Sequence, residues 1–270
     1  MKSLKTIIVG AGMILLACLP ARADVTAAPD SANFGGAMEV QELKLILNAY
    51  SMLAVEQMSA IQRELRLLAV TKEVQTEDWD SMKGLMSEYS RSGANFAAVW
   101  YARPDGTYYT VENGLMRVKL SDRDYFPSLM SGKEVAGEVL ISKSTGKRSA
   151  AFAVPVKKGG KVVGAVGVTM SLEDMSKAID ETLLLPPDML FYALDTKGQV
   201  SLHRDTRLLL VFPSDLGSKT LDTAIAEMLS KPEGVVKYKF RGDKTVVFKR
   251  MGPEGWTYAV GVISGPETDK

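Results

Sequence analysis

Cysteine, histidine and net charge are all scarce in this chain of 270 residues, and each scarcity removes a class of function. Cys18 is the single cysteine and lies in an N-terminal apolar run. The rest of the chain can therefore form no disulfide, thiolate metal site or c-type haem attachment. His203 is the single histidine, and one imidazole makes neither a metal site nor a Ser-His-Asp set. Basic and acidic residues number 33 and 32, which leaves no electrostatic footprint for nucleic acid or an anionic membrane. "GKVVGAVG" (160–167) is glycine-rich but has neither Walker spacing nor a following helix, so it predicts no phosphate loop. The chain is expected not to be an enzyme and to hold no metal or cofactor.

After the first 23 residues no apolar run approaches the roughly 20 residues that cross a membrane as a helix. The first 23 read as a targeting segment. Lys2 and Lys5 precede an apolar run of 13 residues, Ile7 to Leu19, and Ala21-Arg22-Ala23 follows Pro20. That order predicts a signal peptide cleaved after Ala23 and a periplasmic or secreted location. "LLAC" (15–18) resembles a bacterial lipobox, so a lipoprotein anchored at Cys18 stands as the alternative. Residues 24–36, "DVTAAPDSANFGG", read as a flexible leader.

From Ala37 to Lys72 neither proline nor glycine occurs, and Leu43, Ile46, Leu47, Tyr50, Leu53, Ala54, Met58, Ile61, Leu65 and Leu68 recur at helical spacing. These 36 residues predict a rod of about 54 Å, long enough to run beside more than one structural unit or against a partner. A second helix is expected over 78–91. Extended segments follow at 95–102, 107–112, 134–142, 148–156 and 161–170, a five-stranded antiparallel sheet, and "SLEDMSKAIDETL" (171–183) opens as a helix capped by Ser171. The scheme then repeats about 92 residues on, with strand, turn and strand in "MLFYALDTKGQVSLH" (189–203), a helix at 221–231 and strands at 234–240, 244–250 and 256–263. The fold class read from this is α+β, one long N-terminal helix supporting two tandem units built on antiparallel sheets.

"LSDRDYFPSLMSG" (120–132) admits two readings. In one it starts a helix, with Ser121 as N-cap, Asp124 at the third position and Leu120 against Tyr125 as a hydrophobic staple. Arg123 is then paired on the surface with Asp122 or Asp105. In the other, Arg123 faces a ligand carboxylate, which a guanidinium grips with two parallel hydrogen bonds.

Several stretches, "LSDRDYF", "ISKSTGK", "AVPVKKGGKVVGAVGVTMSLEDM", "ALDTKGQVSLHRD" and "GWTYAVGV", resemble the double Cache family of PAS-like extracytoplasmic sensory domains, over nearly all of residues 24–270. The resemblance implies the long helix and second helix at 37–92, a first Cache module at 93–183 with the ligand pocket, and a second, smaller one at 184–270. It implies a small-molecule ligand, and the chain is expected to be a standalone member without a transmembrane or output domain that signals through a membrane receptor or a homodimer joined along residues 37–72. The alternative is a scaffold without a ligand that works as an interaction module through that helix. In the amino-acid-binding branch of the family an arginine, a spacer and two aromatics hold the carboxylate, which match Arg123, Tyr125 and Phe126. Tyr101, Ser142, Phe152 and Thr169 complete the expected pocket. The positions that would bind the amine carry Leu140 and Thr169, neither of which can be charged, and an unpaired buried ammonium costs several kcal/mol. The expected ligand is therefore an organic acid rather than an α-amino acid.

Overall fold

The structure, a computed structural model, describes residues 40–93 and 95–264. The processing sites at Cys18 and Ala23 and the leader at 24–36 lie outside these residues.

Helix α1 (Val40–Ala69) buries one stripe, among it Leu43, Leu47, Tyr50, Ala54, Met58, Ile61, Leu65 and Leu68. Thirty residues give a length of about 45 Å; the helix ends at Ala69, before the Lys72 end expected for the rod, and the first three residues of that expectation, 37–39, lie outside the described residues. The helix stops because Thr71 turns its backbone to an extended ψ of 153° while its hydroxyl donates to the Leu68 carbonyl. Gln75 closes the same end by donating to the Ala69 carbonyl. A one-turn helix, α2 (Lys72–Gln75), then leads to α3 (Trp79–Ser92), whose first turn is capped by Asp78 accepting from the Ser81 amide at 2.9 Å.

The first sheet contains β1 (Phe96–Ala102), β2 (Tyr108–Thr110), β3 (Gly114–Leu115), β4 (Val135–Ile141), β5 (Arg148–Lys158) and β6 (Lys161–Ser171) in the order β3-β2-β1-β6-β5-β4. It has six strands rather than five, because two residues after the β2 turn pair back onto Tyr109 and Thr110. Between β3 and β4 lies the short α4 (Phe126–Met130), and α5 (Leu172–Leu183) follows β6 with Ser171 accepting from the Asp174 amide, as the capping pattern predicts. The second sheet contains β7 (Met189–Leu194), β8 (Val200–His203), β9 (Glu233–Lys239), β10 (Asp243–Met251) and β11 (Trp256–Ser264), ordered β8-β7-β11-β10-β9, with α6 (Lys219–Ser230) before β9. With β3 set aside, both sheets follow one antiparallel order, so the repeat seen in the sequence is a repeat of topology. Helix α1 packs on both: against β5 and β6 of the first sheet and β10 and β11 of the second. Tyr50 touches Phe191 and Tyr258 with ring centroids 5.1 and 5.4 Å apart.

Two devices join the sheets. A bulge at Gly137, φ +72°, lets β4 approach the second sheet so closely that a Cβ there would lie 2.8 Å from the Glu254 Cβ. Beside it Lys197 and Glu138 form an ion pair at 2.7 Å.

The helix start expected at Ser121 is not formed. Residues 121–125 make successive turns, with Arg123 N–H donating to Leu120 and Phe126 N–H to Arg123, and α4 begins only at Phe126. Leu120 N–H is spent on the Gly106 carbonyl, which holds this segment against the β1–β2 turn. Pro127, lacking an N–H, fits only the first turn of a helix and so sets where α4 starts.

Candidate functional site

Strand alternation divides the first sheet into two faces. Val99, Tyr101, Phe152, Val154, Val166 and Val168 point to the core under α1. Trp100, Ala102, Tyr108, Ala153 and Ala165 point the other way, where they cluster with Leu120, Phe126 and Leu129. On this second face a cavity of about 20 Å³ is bounded by Trp100, Tyr108 and Thr169 from the strands, by Leu120, Arg123 and Tyr125, and by Leu140 with the β4–β5 loop, Ser142, Lys143 and Ser144. That is room for one water.

Four of the seven expected pocket residues, Arg123, Tyr125, Ser142 and Thr169, meet at this cavity. Phe126 packs in the cluster on the same side without lining it. The expectation for Tyr101 and Phe152 is corrected. Each is the odd partner of a two-residue alternation, so both side chains lie on the α1 face, fully enclosed in its core. Trp100 and Tyr108, the alternates on the same strands as Tyr101 and Tyr109, take the cavity positions.

Arg123 does not use either aspartate proposed for it. Its Nη2 donates to the Ile141 carbonyl at 2.6 Å, while Asp105 pairs with Lys119 and Asp122 with Lys143. Lys143 Nζ also donates to the Lys119 carbonyl at 2.8 Å, which ties the β4–β5 loop down over the segment carrying Arg123. The buried Tyr108 hydroxyl has no hydrogen-bond partner. Burial raises the Tyr108 and Tyr125 phenols while the nearby Arg123 charge opposes the shift, so both are protonated donors at neutral pH. Thr169 Oγ1 donates to the Ala98 carbonyl at 3.4 Å and offers no charge. Lys147 is paired with Asp174, away from the cavity.

A larger cavity, about 440 Å³, lies beside the second sheet. Leu190, Val200, Leu221, Ile225 and Ile263 form its apolar walls with Tyr192 and Tyr238, and His203, Arg207, Arg241 and Lys244 stand among its polar lining. Arg204 also borders it, but its guanidinium is used structurally, by the carbonyls of Leu185, Pro186 and Met189 at 2.6–2.9 Å and by Asp180. His203 stacks on Tyr192, centroids 6.0 Å apart, and its Nδ1 accepts the Asp205 amide at 2.8 Å, so the neutral ring carries its proton on Nε2. Burial depresses the imidazole to about 4; Lys244 and Arg241 push the same way and Asp205 opposes. As a lone histidine in the sequence, His203 speaks only against metal binding and catalysis. The available signal was the density of cations beside aromatics in "SLHRDTR" and "YKFRGDK".

Among the described residues no group of histidine, cysteine, aspartate and glutamate could hold a metal ion, and no helix is long and apolar enough to cross a membrane. No protein-family model matches the chain, and no curated protein does. Solved structures do. An extracellular ligand-binding receptor from Desulfohalobium retbaense is similar over 84% of this chain at 13% identity and a TM-score of 0.68, and only 41% of that receptor is covered, so this chain spans less than half its length. The ligand-binding domain of the Pseudomonas aeruginosa amino acid chemoreceptor PctB, in complex with L-Gln, matches over 82% of this chain and 90% of its own at 16% identity, TM-score 0.65. The sensor domain of the Vibrio cholerae histidine kinase DctB matches over 83% and 97% at 14% identity, TM-score 0.62. At these identities the likeness is one of fold.

Proposed function

We propose that this chain is an extracytoplasmic small-molecule sensory module of the Cache type. It recognises a small carboxylate-bearing solute in its first module and signals through a separate partner. One observation carries the ligand class: Arg123 and Tyr108, whose buried hydroxyl has no partner, line one water-sized, aromatic-walled cavity. A buried hydroxyl left without an acceptor is costly, and a carboxylate oxygen would satisfy it while the other oxygen met the guanidinium. The space of about 20 Å³ requires the β4–β5 loop to lift on entry. Lys143, bound to Asp122 and the Lys119 carbonyl, is the latch that ligand binding would open. Leu140 and Thr169, both at the cavity, leave an α-ammonium without a charged partner, which supports an organic acid.

The test is a thermal-shift screen of the purified chain against short organic acids, amino acids and amines, repeated with Arg123→Ala. A ligand at 100 times its dissociation constant adds about 2.7 kcal/mol. Stabilisation by amine-free carboxylates that disappears in the variant supports the proposal, and stabilisation by α-amino acids would refute the organic-acid preference.

An interaction scaffold is the second reading, favoured by the apolar side chains that α1 leaves in solvent, Leu45 and Met52 at 63% and 64% exposure, with Leu67 near its end at 69%. Sedimentation of Met52→Asp beside the parent chain separates the two: self-association lost in the variant, together with an empty ligand screen, would put this reading first.

A further inference from the structure

The cavity of the second module is chemically unlike that of the first. Its walls are branched aliphatic and aromatic, so a small, strongly hydrated ion would leave them unfilled. Its charged lining is predominantly positive. Arg207, Arg241 and Lys244 stand against one carboxylate, Asp205, and both oxygens of that carboxylate are already gripped by Arg207 at 2.8 Å. Arg241 makes no side-chain hydrogen bond among the described residues. Its nearest acid is the Asp205 Oδ2 at 3.9 Å, and the guanidinium otherwise rests over the Phe240 ring at 5.3 Å. Such a cation has donors to give to an incoming anion. His203, with Nδ1 committed to the Asp205 amide, has only Nε2–H left to donate.

We infer that this cavity is a second binding site, for an organic anion with a flat apolar body, whose carboxylate meets Arg241 beside His203 while the body lies between Tyr238 and the Leu190, Val200 and Ile225 walls. Lys244, whose Nζ donates to the Phe240 and Arg241 carbonyls, adds only its positive charge. The volume of about 440 Å³ admits a ring-sized body, and the aromatic lining favours a ring over a branched chain. The site does not depend on the carboxylate reading of the first module.

The chain reports on this site by itself, because His203 is its only histidine. Untagged chain is titrated with benzoate or phenylacetate while the imidazole proton resonances are followed, with benzamide as the uncharged control and acetate as the control without a body. The expected result is a saturable shift of the His203 signals by the aryl acids, with both controls binding roughly tenfold weaker or worse. Arg241→Asn should weaken the aryl acids by a similar factor. Asparagine tolerates the left-handed φ of +48° found at this position, so the charge is removed without backbone strain. Ile225→Phe, which narrows the cavity and leaves its charges alone, should also weaken binding, and Arg123→Ala should leave it unchanged. The proposal is overturned if the aryl acids fail to move the His203 signals, if benzamide binds as well, or if binding falls with Arg123→Ala and survives both second-module variants.

Discussion

Acidification from pH 7 to pH 5 should cost this protein about 2 kcal/mol through one side chain. His203 titrates near 6.5 when unfolded and at about 4 in the fold. A base whose folded value is depressed is neutral in the native state where the unfolded chain already takes up a proton. Its contribution is therefore complete above pH 6.5 and is lost as pH falls toward 4. A gap of about 2.5 units amounts to about 3 kcal/mol in full, at roughly 1.36 kcal/mol per unit, of which about 2 is lost by pH 5. For a domain of this size that is a fall in Tm of roughly 4–8 °C. Glu254 and Asp195, whose carboxyls are raised by burial, act with the opposite sign. Both are cancelled by comparing the parent with His203→Asn, whose Oδ1 stands where Nδ1 does and can still accept the Asp205 N–H. Urea unfolding at pH 7, 6 and 5 should show the parent losing about 2 kcal/mol more than the variant. An equal loss in both, or an imidazole signal titrating near 6.5 in the folded chain, would refute the reasoning.

A Cβ at Gly167 would lie 2.2 Å from the Trp100 ring, so Gly167→Ala should destabilise by about 1–3 kcal/mol in thermal unfolding and abolish any first-module ligand response; a variant as stable as the parent would contradict the packing. Arg204→Met strands the carbonyls of Leu185, Pro186 and Met189 and should cost about 2–3 kcal/mol in urea. Arg204→Lys should not restore it, because one ammonium cannot span the set. Lys143→Ala removes a latch whose partner Asp122 is 69% exposed. Stability should change by less than about 1 kcal/mol, while calorimetry shows first-module carboxylates binding several-fold tighter.

The architecture was legible in the sequence because its signals are periodic. The stripe from Leu43 to Leu68 reads as one buried helix face, and the alternating segments separated by glycine turns read as two similar sheets. What failed was local. Ser121 has the right neighbours for an N-cap, but Leu120 is committed to Gly106 on a turn distant in sequence, and no pattern within 120–132 encodes that bond. The end of α1 at Ala69 rests likewise on where the Thr71 hydroxyl turns.

The pocket residues divide along the same line. "LSDRDYF" brought Arg123 and Tyr125 to a cavity because they are carried on one short segment. Alternation alone says that Trp100 and Tyr101 face opposite ways, not which of them meets α1; the choice is made by the register of β1 on β6, which sets Gly167 across from Trp100 and leaves room for the indole on the cavity side. The second-module cavity was harder to foresee for a stronger version of that reason. Its cations come from the turn after β8 and from the β9–β10 hairpin, segments some 35 residues apart in the chain. Only the β8-β7-β11-β10-β9 order and the packing of α6 turn those scattered charges into one lined space. Clustering of charge of this kind is a property of the fold, and the lone histidine inside it makes that property measurable.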